Sequence, residues 1–397
     1  MRKELENKKY QEEINVFPYL NVSLVQIIPL LQNQYICIAI TQLVDYKFIF
    51  LMKALTLEAY NQLSYGDAPD PEYGNNDVLI RVNACGICGS DIHGMDGSTG
   101  RRIPPIIMGH EAAGTISSIG SEVTDWNIGD RVTFDSTIYC GSCKYCNEGK
   151  VNLCENRKVL GVSPGEYRQH GAFAEYVSVP ERILYKIPDN LSFEEAAFVE
   201  PVSVALHGVN RTPVKDGDTA VVIGSGMIGL LVIQALRIKG ASKIIAVDLD
   251  PEKIKTAISV GADHGIISDE NALKEINALT GDGADIAMEV VGMSPTLNLA
   301  IESVRKGGSI GVIGNLHSMT EFPLQSVVTR EITIYGSCAS ECEYSESLEL
   351  IANGSIKVRN MITTIAPLSE GSEWFKRLYD GKEDMLKVIL RPDSEIN

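Results

Sequence analysis

The sequence predicts an α/β protein: a β-rich domain followed by a doubly wound parallel sheet. Two observations predict it. Between Lys53 and Pro188 the chain is rich in Gly, Val and Ile with frequent turns, and after about Val202 short apolar runs alternate with amphipathic stretches. Such alternation marks strand–helix–strand units, whose parallel strands need helical crossovers. The length agrees, since 397 residues are too many for one ordinary core.

In chain order, residues 1–51 read as an atypical N-terminal extension. Met1 to Glu13 is highly charged, and Ile14 to Val44 carries no charge. An uncharged stretch of that length is long enough to span a bilayer. Pro18, Pro29 and several Asn and Gln residues interrupt it, and no small-residue cleavage site is evident. The reading favoured is a leader translated from upstream of a start at Met52. A membrane anchor and an ordered extra element are the alternatives, and no membrane association is expected.

Residues 52–201 form the β-rich domain. Val78–Val82 and Ala113–Ile116 read as strands and Trp126–Asp130 as a turn. Residues 202–333 carry the alternating pattern. Thr219–Ile223 and Lys243–Val247 are strands. Met227–Lys239 is a helix stopped by Gly240, and Pro251–Val260 is a helix stopped by Gly261. Gly265–Ile267, Ile286–Val291 and Ser309–Ile313 continue the sheet. Residues 334–397 read as strand, helix, loop and strand.

Composition excludes some functions. The net charge of −17 argues against nucleic acid as a partner, because such proteins present a basic face. Nine cysteines are present, four of them (Cys140, Cys143, Cys146, Cys154) within fifteen residues. Dense disulfides belong to small secreted domains, which this chain is not, so a reducing cytoplasmic setting and a metal are expected instead.

Three groups of residues carry chemistry. Gly224-Ser225-Gly226-Met227-Ile228-Gly229 is a G-x-G-x-x-G between a predicted strand and a predicted helix, the context a dinucleotide site requires. Gly224 permits the turn, Gly226 admits the pyrophosphate, and Gly229 lets helix and sheet approach, with the phosphates on the helix N-terminus. Asp248 ends the next strand, nineteen residues after Gly229, and no arginine follows it directly. A carboxylate there accepts from ribose hydroxyls and repels a 2′-phosphate, so NAD is favoured over NADP. Lys253 lies near the adenosine ribose or is a solvated helix lysine.

The four clustered cysteines suit one tetrahedral zinc, a closed structural site. An iron–sulfur cluster uses the same ligands and is the chemical rival. The third group is dispersed: Cys88, His110-Glu111 and Glu200. One thiolate, one imidazole and one or two carboxylates make an open zinc site with room for substrate. Spacing alone does not join these distant segments.

From Met52 to about Pro392 the chain resembles the medium-chain dehydrogenase/reductase superfamily, in its zinc-containing polyol dehydrogenase branch. The resemblance rests on Cys88-Gly89-Ser90-Asp91-Ile92-His93, Gly109-His110-Glu111, the four-cysteine lobe, Glu200-Pro201 and the glycine-rich turn, in that order. It implies a GroES-like catalytic domain, a Rossmann coenzyme domain and a final segment returning to the first. It implies two zinc ions per subunit: a catalytic one on Cys88 and His110 with Glu111 or Glu200, and a structural one on the thiolate lobe. It implies Ser90 as relay hydroxyl and His93 as outer proton acceptor. The implied reaction takes hydride from a secondary alcohol of a polyol or sugar-alcohol phosphate to NAD. A threonine dehydrogenase-like or general alcohol activity is the alternative, and a non-catalytic protein on the same scaffold is the alternative class. Arg101 and Arg102, in the loop after His93, are candidate anion-binding residues for the substrate, or solvated loop arginines. Glu331–Gly336 resembles the family's interface strand, which implies a homodimer or homotetramer.

Overall fold

A computed structural model of the protein describes residues 51–162, 169–381 and 385–393. The extension assigned to residues 1–51 lies outside the described residues, except for Leu51, which already pairs with Pro69 in the first strand.

In chain order the first domain runs through β1 (Leu51–Ala59), β2 (Gln62–Pro69), β3 (Asp77–Gly86), β4 (Ile106–Ile107), β5 (Glu111–Ile119), β6 (Arg131–Phe134), β7 (Thr137–Ile138), β8 (Lys158–Val159), β9 (Tyr176–Pro180) and β10 (Leu184–Lys186). Strand β3 is its centre, flanked by β5 on one side and paired with β9 where it begins. Every second residue of its first half, Val78, Ile80 and Val82, is buried, as the two-residue period of a strand requires. They pack with Leu55, Leu57, Phe134, Phe173 and Phe375 in one core. A short helix, α1 (Gly89–Met95), follows β3 directly.

Helix α2 (Val199–Arg211) leads from this domain into the second. There β11 (Thr219–Ile223), β12 (Lys243–Asp248), β13 (His264–Ile267), β14 (Ala284–Glu289), β15 (Val304–Val312) and β16 (Thr333–Gly336) form a parallel sheet in the order β13-β12-β11-β14-β15-β16. Helices α3 (Met227–Ile238) and α4 (Pro251–Ser259) are crossovers. Ala220, Val221, Val222 and Ile223 are all buried, because helices cover both faces of such a sheet. The chain then returns through β17 (Ile362–Pro367) and β18 (Lys387–Arg391). Strand β18 pairs antiparallel with β3 through Ile389 opposite Gly86 and Leu390 opposite Cys85. No helix among the described residues is long and apolar enough to cross a membrane.

Two boundaries differ from expectation. The parallel sheet extends past residue 333, because β16 continues in register from Thr333 opposite Ser309 to Gly336 opposite Val312. The expected strand Ile286–Val291 ends earlier, at Glu289. Its carboxylate accepts from Val291 N (3.0 Å) and Gly292 N (2.8 Å) and turns the chain there. An apolar run cannot reveal that turn.

Candidate active site

Cys88 stands at the junction of β3 and α1. Its backbone is extended, its Sγ accepts from Ser90 N (3.5 Å), and its own N–H donates to Asp91 Oδ2 (3.3 Å). This reciprocal cap fixes where the helix starts. Glu111 opens β5 and His110 immediately precedes it. Gly109 before them has φ +96°, and a Cβ there would lie 2.8 Å from Phe173 N; only glycine fits that conformation and that gap. Glu111 faces Gly86 across the sheet, where a Cβ would come within 2.4 Å of Glu111 Oε2. The missing side chain is therefore the notch that holds the carboxylate. These local features bring ligand atoms of Cys88, His110 and Glu111 within 4.8 Å of one another.

Buried charges surround the cluster. Lys387 Nζ donates to Glu111 Oε2 (2.5 Å) and to Ile87 O (3.2 Å). Asp91 Oδ1 lies 3.4 Å from His110 Nδ1 and accepts from Arg102 Nη2 at 2.7 Å. Burial alone would raise the Asp91 pKa, but the His110 and Arg102 charges outweigh it and hold the carboxyl well below the usual range. A carboxylate at Nδ1 leaves the Nε2 of His110 to a metal. Glu200, on the first turn of α2, is pushed up to about 7, chiefly by burial and then by Glu111, with His110 and Lys387 opposing. Its carboxyl therefore lies within electrostatic reach of the cluster but is not among the donors within 4.8 Å of one another. One thiolate, one imidazole and one carboxylate beside a second carboxylate suit zinc with a position left for substrate.

Ser90 and His93 lie one turn apart on α1 and are both exposed. Ser90 Oγ donates to Cys88 Sγ (3.3 Å), which sets it against the cluster. The two arginines separate. Arg101 is exposed, whereas Arg102 is 1% exposed and bonded to Asp91 and to Ser90 Oγ (3.2 Å). Arg102 is therefore neither a substrate-facing nor a solvated arginine, because its charge is committed to a buried carboxylate.

In the lobe after β7, Cys140, Cys143, Cys146 and Cys154 place their sulfurs within 4.8 Å of one another. Cys140 Sγ and Cys143 Sγ lie 4.0 and 3.5 Å from Cys146 Sγ, too far for a disulfide. A zinc–sulfur bond of about 2.3 Å gives a tetrahedron with edges of about 3.8 Å. The spacing fits one ion, and a multi-iron cluster would force the sulfurs apart. Gly141 (φ +77°) and Gly149 (φ +83°) supply the left-handed turns that the wrap requires. Backbone N–H groups point at the sulfurs and, with Ser142, bring the Cys140 thiol down to about 5, while burial and neighbouring thiols push Cys146 up to about 12. Asn152 ties the lobe to both domain crossings. Its Nδ2 donates to Cys338 O (2.8 Å) and lies 3.3 Å from His207 Nε2 on α2, whose Nδ1 is 2.8 Å from Glu343 Oε1.

The glycine-rich turn joins β11 to α3. Gly224 has φ +99°, and a Cβ on Gly229 would sit 1.9 Å from Gly224 O. By contrast, nothing lies within 4 Å of a Cβ on Gly226, so the approach to the helix N-terminus is open. Met227 and Ile228 begin that helix, half-buried. Asp248, at the end of β12, accepts from Ser225 N (2.7 Å) and Asp250 N (3.0 Å). It therefore stands beside the turn. Lys253 is half-buried on α4.

The sequence reading missed Lys387 and the Arg102–Asp91 pair. A lysine inside an apolar strand, Lys387-Val388-Ile389-Leu390, was the available signal for the first.

Residues 74–189 match the family described as alcohol dehydrogenase GroES-like domain, and residues 228–353 match zinc-binding dehydrogenase. Among curated relatives, sorbitol dehydrogenase of Bacillus subtilis is 36% identical over 349 residues, covering 86% of this chain and 98% of that protein. A putative zinc-binding dehydrogenase of Sinorhizobium meliloti, solved with NADP bound, superposes with a TM-score of 0.79 at 32% identity over 86% of this chain and 100% of that one. Galactitol-1-phosphate dehydrogenase of Escherichia coli superposes with a TM-score of 0.80 at 25% identity, over 86% of this chain and 100% of that one.

Proposed function

Because this chain belongs to the zinc-binding, medium-chain alcohol dehydrogenases and is an oxidoreductase acting on alcohols, we infer that it oxidises a secondary hydroxyl of a small polyol and uses NAD. The convergence of Cys88, His110 and Glu111 within 4.8 Å beside the Ser90 hydroxyl carries the reading. When bound, zinc lends Lewis acidity to the substrate oxygen, and the dinucleotide takes the hydride. Cys88, His110 and Glu111 would hold that ion, with Glu200 facing it. The four thiolates at 140, 143, 146 and 154 would hold a second, structural one. Gly224 and Gly226 would seat the pyrophosphate against Met227 and Ile228, and Asp248 would accept from the ribose, with Lys253 on the first turn of α4.

Ser90 Oγ takes the substrate proton and passes it outward, and His93 receives it at the solvent face. With Arg102 committed to Asp91, only Arg101 of the arginine pair remains to meet a phosphate, so an unphosphorylated polyol is preferred to a sugar-alcohol phosphate. The cysteines described are all free thiols, which supports a cytoplasmic setting. Zinc analysis should give two ions per subunit. NADH should form with sorbitol faster than with galactitol 1-phosphate or L-threonine, and NAD should outperform NADP at least about tenfold, given the carboxylate at 248. No reduced cofactor from any polyol, or a preference for NADP, overturns this reading.

Strand β16 is the edge of the parallel sheet. Its Ile334 is exposed, as are Leu324 (63%) and Val328 (66%) on the helix just before it. An apolar edge strand pairs readily with a second copy, so a homodimer joined at β16 follows. Light scattering after gel filtration should report twice the subunit mass or a multiple of it. Ile334→Lys should shift the protein toward monomer, and an unchanged mass in that variant removes β16 from the interface.

A further inference from the structure

We propose that Arg102 is a positioning residue that pins the Ser90 hydroxyl in its relay orientation. One nitrogen does this. Arg102 Nη2 donates to Asp91 Oδ1 (2.7 Å) and to Ser90 Oγ (3.2 Å), and the side chain is buried beneath α1. The nitrogen carries two N–H bonds, one for each partner. A hydroxyl has two acceptor sites and one proton. Arg102 fills one acceptor site and the hydroxyl proton points to Cys88 Sγ, which leaves Ser90 one site to take a proton, and one proton to give once it turns from that sulfur. That is the least a relay needs, and the rotor is no longer free. The same carboxylate receives the N–H of Cys88 on its other oxygen and faces His110 Nδ1. The guanidinium thus sets the relay hydroxyl against the zinc ligands as one rigid unit. Gly94 is shaped for this path: a Cβ there would lie 2.4 Å from Arg102 Cγ.

The proposal rests on Ser90 being the relay, and a double-mutant cycle separates the two. Arg102→Lys keeps a cation beside Asp91 but ends one bond short of the place of Nη2, so its ammonium cannot hold Asp91 Oδ1 and Ser90 Oγ together. It should lower kcat about tenfold, a fraction of the roughly 10²–10⁴-fold that a general acid–base step contributes, because the relay is misplaced and not removed. The KM for NAD and the zinc content should stay unchanged, and the solvent deuterium isotope effect on kcat should rise. Gly94→Ala, which displaces the arginine without removing it, should act in the same direction. In a Ser90→Ala background both changes should have no further effect on kcat. An equal loss in both backgrounds, loss of zinc in either variant, or full turnover in Arg102→Lys overturns the proposal. Full turnover in Ser90→Ala alone instead overturns the relay on which it stands.

Discussion

Cys88→Ser should abolish turnover while leaving NAD binding intact. Changing groups that merely orient a metal ligand costs 10–100-fold, so losing the ligand itself should exceed ~10³-fold. A serine hydroxyl stays protonated at neutral pH and binds zinc poorly compared with a thiolate. Folding should survive, because Cys88 caps α1 and serine is a favoured cap. The glycine-rich turn is built by separate strands of the second domain, so nucleotide affinity has no reason to change. Metal analysis should fall from two zinc ions per subunit to one, the thiolate lobe keeping its own. Steady-state rates, a binding titration with NADH and zinc analysis together check this. Retained turnover with full zinc would remove Cys88 from the centre.

Lys387→Met should produce the largest loss of stability. The ammonium is 3% exposed and its partner Glu111 carboxylate 2% exposed, at 2.5 Å. Removing one member of a buried pair strands the other charge and costs about 3–5 kcal/mol. The loss should be greatest after chelation, since a zinc ion at the cluster would compensate Glu111 in part. Adding Glu111→Gln to Lys387→Met should recover much of the chelated protein's stability, as the uncompensated charge is then gone. Urea midpoints of the four combinations, with and without zinc, give the answer. Equal midpoints for wild type and Lys387→Met after chelation would show that the pair is not buried in solution.

What the sequence made legible is local chemistry. The thiolate lobe and the glycine-rich turn each lie within one short segment, so spacing alone reports their geometry. The Rossmann alternation is similarly local, because each strand and helix keeps its own period. The open cluster was less legible. Cys88, His110 and Glu200 come from three segments, and the resemblance, not spacing, joined them. Arg102 was misread because its neighbour Arg101 is solvated and nothing in the loop distinguishes the two. Its burial follows from Gly94 and Asp91 on the preceding helix, where absence of a Cβ opens the channel. Lys387 was invisible as a partner of Glu111 because a strand's sequence states its faces and not its neighbours.

The Lys387–Glu111 pair spans 276 residues, and that distance has a consequence for how the protein is made. On the ribosome, Cys88, His110 and Glu111 emerge early, whereas β18 and its lysine emerge after the whole parallel sheet has been translated. Until then the end of β3, at Cys85 and Gly86, lacks a neighbour on one side and an acidic side chain sits in a half-built wall. The wall beside Glu111 is therefore completed only when the returning strand pairs with β3.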